Sequence, residues 1–324
     1  MTITRWKTIT DQASGAASAP RSLCGGTGGL TPPRSPAELL WHVYIGGLLL
    51  ASVSLCLVVE PQVGKSEDKP AAKIIAREDV VYGRVSGAGL LADIAYPESK
   101  EPMPAIISVH GGRWVGGHKK DTSTIKVEQW AGFGFFAMSI DYRLKGTTPA
   151  PACYQDFQCA IRYVHAHAKE FNIDTSRIFL MGQSAGGHMV SLAATLGDGP
   201  YPRTGGWDKE SNDFRAAISV AAPYDIVALD WGNLWTPPGI DVTEARTLAS
   251  PSKHVTKTMK PLLIIHSDDD KSVPIANALS MVEVLEKAGA RHKFHHDTNK
   301  GHMQITDEVI QRSLAFIKEQ SAKP

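Results

Sequence analysis

The sequence predicts an α/β sandwich built on a mostly parallel sheet, and three observations carry that prediction. Residues 105–109, 135–140, 178–181, 216–220 and 262–265 are short, nearly continuous apolar runs. Such runs fit strands covered on both faces. Between them lie helical patterns: Phe157, Ile161, Val164 and Ala168 recur at i, i+4, i+7 and i+11, and Leu279, Val282 and Leu285 at threes, with Asn172 and Gly289 as stops. The third observation is Gly182-Gln183-Ser184-Ala185-Gly186, which follows the apolar run ending at Met181 and opens an alanine-rich helical stretch. Alternating strands and helices argue for right-handed βαβ crossovers. Ser184 is then expected at the carboxyl end of a central strand, where open α/β sheets bind ligands.

In chain order, the first seventy residues differ from the remainder. Residues 1–36 read as a disordered N-terminal extension, because the Ser, Ala, Gly and Pro that fill residues 11–36 bury too little apolar surface to offset chain entropy. Residues 37–59 read as a signal peptide or a membrane anchor. From Leu39 to Val59 there is no charged residue, which suits a span of roughly 20 residues, while Ser52-Val53-Ser54 offers a small-x-small cleavage site. Residues 39–59 thus predict an exported chain, periplasmic or secreted, or one anchored in a membrane. Residues 60–72 read as a linker, and 73–324 as the folded domain. Residues 74–82 and 90–96 suggest an antiparallel pair of edge strands, residues 291–298 a last strand, and Ile305, Val309, Ile310, Leu314 and Ile317 a closing helix.

Composition narrows the function. The chain has 34 Lys plus Arg against 33 Asp plus Glu and no basic block, so a nucleic-acid partner is not expected. Of four cysteines, Cys24 and Cys56 fall in the N-terminal segments. Cys153 and Cys159 lie six residues apart on or beside one helix, too far at about 1.5 Å rise per residue for a disulfide.

A serine at a strand, sharp turn, helix junction can become a nucleophile, provided glycines two positions either side let neighbouring backbone approach. It then needs a base in reach and a third group to orient that base. In a fold of this order the acid should follow a later strand and the histidine come last. Strand 262–265 runs into His266-Ser267-Asp268-Asp269-Asp270-Lys271-Ser272-Val273-Pro274, where spacing alone leaves three aspartates open. His302, beside Gly301 in the loop after the last strand, competes with His292, His295 and His296. Those three would alternate across a strand and would not converge on a metal. Ala185 can offer an N–H at a helix N-terminus to a developing oxyanion.

The chain from about Pro104 onward resembles the α/β-hydrolase superfamily, within it the esterase/lipase group related to hormone-sensitive lipase and to bacterial feruloyl and acetyl-xylan esterases. The residues that carry the resemblance are His110-Gly111-Gly112-Arg113-Trp114, Asp141-Tyr142-Arg143-Leu144, Gly182 to His188, His266 to Pro274, and Gly301-His302. It implies a central sheet of about eight strands with helices on both faces and a small lid. It also implies a serine carboxylic ester hydrolase working through an acyl-enzyme on short-chain, acetyl or feruloyl esters, small or polysaccharide-linked, with no cofactor and no metal. The alternatives are a serine peptidase or amidase on the same fold, or a non-catalytic binding module.

Residue by residue, the resemblance assigns Ser184 as nucleophile and His302 as base. It points to Asp270 as the acid, three residues before Val273-Pro274, with Asp269 as second choice. The oxyanion donors become Gly112, Arg113 and Ala185, although similar esterases usually carry a third glycine where Arg113 stands. Asp141 to Leu144 reads as structural. Residues 198–214 and 224–260, which interrupt the strand-helix rhythm, are the lid candidates, their Trp207, Trp231 and Trp235 either stacking on substrate or packing the lid.

Overall fold

The computed structural model describes residues 72–322 apart from 230, 232 and 233. The expected extension at 1–36, the signal or anchor at 37–59, the linker as far as residue 71, Cys24 and Cys56 lie outside the described residues.

The chain opens with β1 (Ile74–Val85) and β2 (Ala88–Pro97), the expected antiparallel hairpin. It continues through β3 (Met103–Val109), α1 (Val127–Gly132), β4 (Phe136–Ile140), α2 (Ala152–Ala166), α3 (Ala168–Phe171) and β5 (Ile173–Gln183). Then come α4 (Ala185–Leu196), β6 (Ala216–Val220), α5 (Val242–Leu248), β7 (Leu262–Ser267), α6 (Ile275–Ala288), β8 (His292–Asp297) and α7 (Asp307–Ser321). The sheet has eight strands in the order β1-β2-β4-β3-β5-β6-β7-β8. β2 meets β4 antiparallel, and every pairing from β4 to β8 is parallel.

Both faces of this sheet are covered, which is why its strands read as continuous apolar runs. Side chains alternate across a strand. Ile107, Leu180, Leu262 and Ile264 enter one core with Phe157 and Ile161 of α2, Met189 and Val190 of α4, and Met281 and Leu285 of α6. Their neighbours Ile106, Phe179, Met181, Leu263 and Ile265 enter the other with Trp130 of α1 and Val309, Ile310 and Phe316 of α7. β5 starts five residues earlier than its apolar run because Asp174, Ser176 and Arg177 bond to one another and leave no apolar signal. Asn172 and Gly289 stand in the left-handed region as the helix stops they were read to be.

The Asp141 to Leu144 segment is built into the scaffold. Arg143 donates through Nε and Nη2 to the carboxylate of Asp156 on α2, at 2.9 and 2.7 Å, and its own N–H donates to the same group at 2.8 Å. Tyr142 hydroxyl donates to the carbonyls of His110 and Gly111 at 3.2 and 3.1 Å, tying this loop to the one after β3. Cys153 and Cys159 are buried free thiols on α2.

Between β5 and α4 the chain turns on a single residue, Ser184, at φ 53° and ψ −116°. Gly186 lies so close to β3 that a Cβ there would sit 2.0 Å from the carbonyl oxygen of Val109, and one on Gly182 would sit 2.3 Å from the carbonyl carbon of Gly186. No side chain fits either gap.

Two stability predictions follow from this scaffold. Gly186→Ala must push α4 off β3, and a loss of about 2 kcal/mol or more in urea unfolding is expected; an unaltered midpoint would mean the contact is slack. Asp156→Ala leaves Arg143 without its partner. The expected loss is about 3 kcal/mol by the same measurement, since breaking a buried pair strands the remaining charge.

Candidate active site

The topology brings the ends of β3, β5, β7 and β8 to one edge of the sheet. Val109 pairs with Gly182, Gly182 with Ser219, and Ile265 with both Val220 and His295, so the loops that follow emerge side by side. An open cleft of about 610 Å³ lies there, lined by Ser184, His302, Gly112, Arg113, Trp231 and Lys271 among others.

Ser184 owes its position to the elbow. Its N–H donates to Val220 carbonyl at 2.8 Å, and its carbonyl accepts from His188 N–H at 2.9 Å. It heads α4, whose first N–H groups have no intrahelical acceptor. Ala185 N–H is therefore oriented at a helix N-terminus beside Ser184, where partial positive charge accumulates.

The loop after β3 supplies the other proposed donors. Gly112 at φ 96° and Arg113 at φ 54° turn the backbone sharply, and Gly112 carbonyl is engaged by the N–H groups of Val115 and Gly116. Among the described residues the N–H groups of Gly112 and Arg113 meet no acceptor, whereas Gly111 N–H is spent on Ser123 hydroxyl at 3.1 Å. His110 is buried beneath, its ring stacked on Tyr142 at 4.1 Å. Burial pushes its pKa down, although its hydrogen bond to Gly111 carbonyl opposes the shift.

Of the three aspartates, only Asp270 is brought to a histidine. Its Oδ2 lies 2.8 Å from His302 Nδ1, and its Oδ1 accepts the N–H groups of Ser272 and Val273 at 2.8 and 2.9 Å. Burial alone would raise this carboxyl; hydrogen bonds from His266, His302 and Val273 outweigh it and hold the group well below the usual carboxylate range. Asp270 is thus ionised and accepts from His302 Nδ1–H, which leaves Nε2 of His302 as the free acceptor. Asp268 accepts Asn299 N–H, and Asp269 accepts Ser267 hydroxyl and Gly301 N–H. Those two carboxylates anchor the loop that carries His302.

Four of the six residues singled out from sequence, Ser184, His302, Gly112 and Arg113, line the cleft; Asp270 backs His302 and Ala185 heads α4. No hydrogen bond joins Ser184 to His302 among the described residues, as is common in sites without substrate. His292, His295 and His296 lie along β8, and among the described residues no cluster of three metal-ligating side chains forms.

Sequence reasoning missed His266. It is fully buried, Nε2 sits 2.8 Å from Val273 carbonyl and 3.3 Å from Asp270 Oδ2, and no spacing rule announces it. Residues 198–214 are not part of a lid: Trp207 donates to Tyr82 carbonyl and packs edge-on to Tyr163 and His167, while Arg162 holds the carbonyls of Thr204 and Gly206. This segment joins α4 to β6 and so lies against α2 and β1. The second segment does reach the cleft. Trp235 is buried against Trp114 and His188, and Trp231 lines the opening beside Trp114.

Known proteins share this fold. A truncated carbohydrate esterase from gut microbiota superimposes with a TM-score of 0.67 at 27% identity, covering 78% of this chain and 98% of that one. The thermophilic esterase Est2 of Thermogutta terrifontis gives 0.61 at 25% identity over 77% of this chain and 91% of its own. In sequence, esterase LipC of Mycobacterium tuberculosis is 29% identical over 221 residues, 60% of this chain and 54% of LipC. The chain spans about half the length of the curated relatives it matches. The BD-FAE family model matches residues 92–285, from within β2 into α6 and including Ser184 and Asp270, and the chain belongs to that family.

Proposed function

We propose that this chain is a serine carboxylic ester hydrolase acting through an acyl-enzyme, with Ser184 as nucleophile, His302 as base then acid, and Asp270 as the group that orients His302. The observation that carries the reading is the 2.8 Å contact between Asp270 Oδ2 and His302 Nδ1 behind a cleft lined by both His302 and Ser184. With Nδ1–H committed to Asp270, Nε2 takes the Ser184 hydroxyl proton as Oγ attacks the ester carbonyl carbon. The carbonyl oxygen gains negative charge, and the N–H groups of Gly112, Arg113 and Ala185 are its donors, fixed before reaction and so needing no reorganisation. On collapse the carbon–oxygen bond to the alcohol breaks, and His302 gives the alcohol its proton. Water then repeats the sequence on the acyl-enzyme and frees Ser184.

Small acyl groups or compact aromatic acids are the substrate class this reading favours, on acetyl, short-chain or feruloyl esters, free or attached to polysaccharide. α5 is seven residues long and buries only Ala245, so the segment over the cleft offers no broad apolar face for a lipid surface. Relatives lend support: Est2 has been solved with propionate bound and also phosphorylated by paraoxon, and another similar structure is named a carbohydrate esterase.

Ser184→Ala is expected to abolish ester hydrolysis with the fold intact, a loss of several orders of magnitude. Asp270→Asn should cost at least about a hundredfold in kcat/KM, whereas Asp268→Asn and Asp269→Asn should retain most activity. Near-normal turnover by folded Ser184→Ala defeats the assignment. Along a series from acetyl to palmitoyl esters, activity should peak at the short end, with aminoacyl anilides poorer still. A steady rise with chain length would point to a lipase, and faster anilide cleavage to a peptidase.

A further inference from the structure

The geometry points to an anion-recognition site at the mouth of the cleft, so that the esters this chain takes carry a carboxylate or similar negative group close to the scissile bond, held by Arg113 with Lys271 nearby. The inference rests on the hydrolase reading above and names its substrate class.

Arg113 is the first observation. It stands at φ 54°, in the left-handed region that a residue with a Cβ occupies only under strain. Glycine would be free of that strain, and the donor role given to this position uses only the backbone N–H, which glycine supplies equally. The oxyanion loop therefore gives no reason for an arginine. Strain kept at a site calls for a reason in the side chain.

The side chain supplies one. The Arg113 guanidinium lies over the ring of Trp231, 5.5 Å from its centre, and Trp231 rests on Trp114, itself buried among Trp235 and His188. The contact with the ring uses none of the guanidinium N–H groups, and among the described residues they bond to nothing; they form the fork that binds a carboxylate through two parallel bonds. The contact with Trp231 restricts in advance part of the rotamer freedom that binding would otherwise cost.

Charge in the cleft agrees. Arg113 and Lys271 both line it, and neither is paired with a carboxylate among the described residues. Asp121 lines it too, but its oxygens are taken by His118, one by Nε2 at 2.8 Å and the other by the backbone N–H at 2.9 Å. Asp270 is committed to His302 and His266. Among the described residues, an incoming anion thus meets two cations that no carboxylate pairs with.

The negative group could sit on the acyl side or on the alcohol, and two matched pairs of esters separate these. The para-nitrophenyl monoester of glutarate is compared with para-nitrophenyl valerate, and meta-acetoxybenzoate with meta-acetoxybenzamide. In one pair at least, kcat/KM for the anionic ester should exceed that for its neutral partner by about tenfold, and that ratio should fall about tenfold in Arg113→Gln and Arg113→Gly. Arg113→Lys, which keeps the charge and loses the fork, should fall between. The ratio cancels any effect of the substitutions on the oxyanion loop that both esters share, and Arg113→Gly relieves backbone strain, so folding is not at issue. Hydrolysis of all four esters with ratios near unity, or ratios unmoved by removing the guanidinium, overturns the anion site and leaves the hydrolase intact. If none of the esters is cleaved, the hydrolase reading fails, and calorimetric titration of the same four esters judges the site by itself. Tighter binding of an anionic ester that weakens about tenfold in Arg113→Gln upholds it, and equal binding overturns it.

Discussion

The close approach of α4 to β3 is the constraint on which the site depends. Only a glycine at 186 lets the first turn of α4 lie against Val109 carbonyl, and only a glycine at 182 lets the strand end pass beneath it. With that contact made, Ser184 is driven to a positive φ, and the helix N-terminus comes beside the loop at His110. Tyr142 and Ser123 then clamp that loop from below through the carbonyls of His110 and Gly111 and the N–H of Gly111. The three candidate oxyanion donors, Gly112, Arg113 and Ala185, and the nucleophile candidate are thereby fixed relative to one another by backbone packing and by the Tyr142 and Ser123 hydroxyls.

The opposite wall is held by carboxylates. Asp268 and Asp269 tie down residues 299 and 301 and so fix the stem of His302, while Asp270 meets its ring. Two of three adjacent aspartates thus hold backbone while the third meets a ring, because the turn after β7 gives them different partners. Asp270 stays ionised despite its burial because four donors converge on it, the N–H groups of Ser272 and Val273 on one oxygen and the rings of His302 and His266 on the other. Each of those bonds favours the charged form, and together they exceed the desolvation that opposes it.

Beside these walls sits a cluster of tilted and edge-on aromatic rings, and the tryptophans divide by role. Trp235 and Trp114 are interior packing, Trp231 is half in the cleft, and Trp207 belongs to another part of the molecule. The aromatic cluster continues to Trp231, over whose ring the Arg113 guanidinium lies, so this packing also helps to place a charged group at the cleft.

Much of this was legible in the sequence because it depends on local signals. Strands buried on both faces must be apolar throughout, helix stops need a left-handed residue such as Asn172 or Gly289, and a sharp elbow needs glycines at 182 and 186; each leaves its mark within a few positions. The motif order located the candidate site residues for the same reason, since loops after parallel strands must gather at one edge. What the sequence could not determine depends on tertiary partners. His266 stood without a role just past the expected strand at 262–265, and it lies within β7 with the following turn folded back onto it; Trp207 and Trp231 looked alike until one packed on β1 and α2 and the other met Arg113. No period or spacing encodes such contacts: those of His266 depend on how the turn after β7 folds back over four to seven residues, and those of Trp207 and Trp231 on segments more than a hundred residues apart that only the fold brings together.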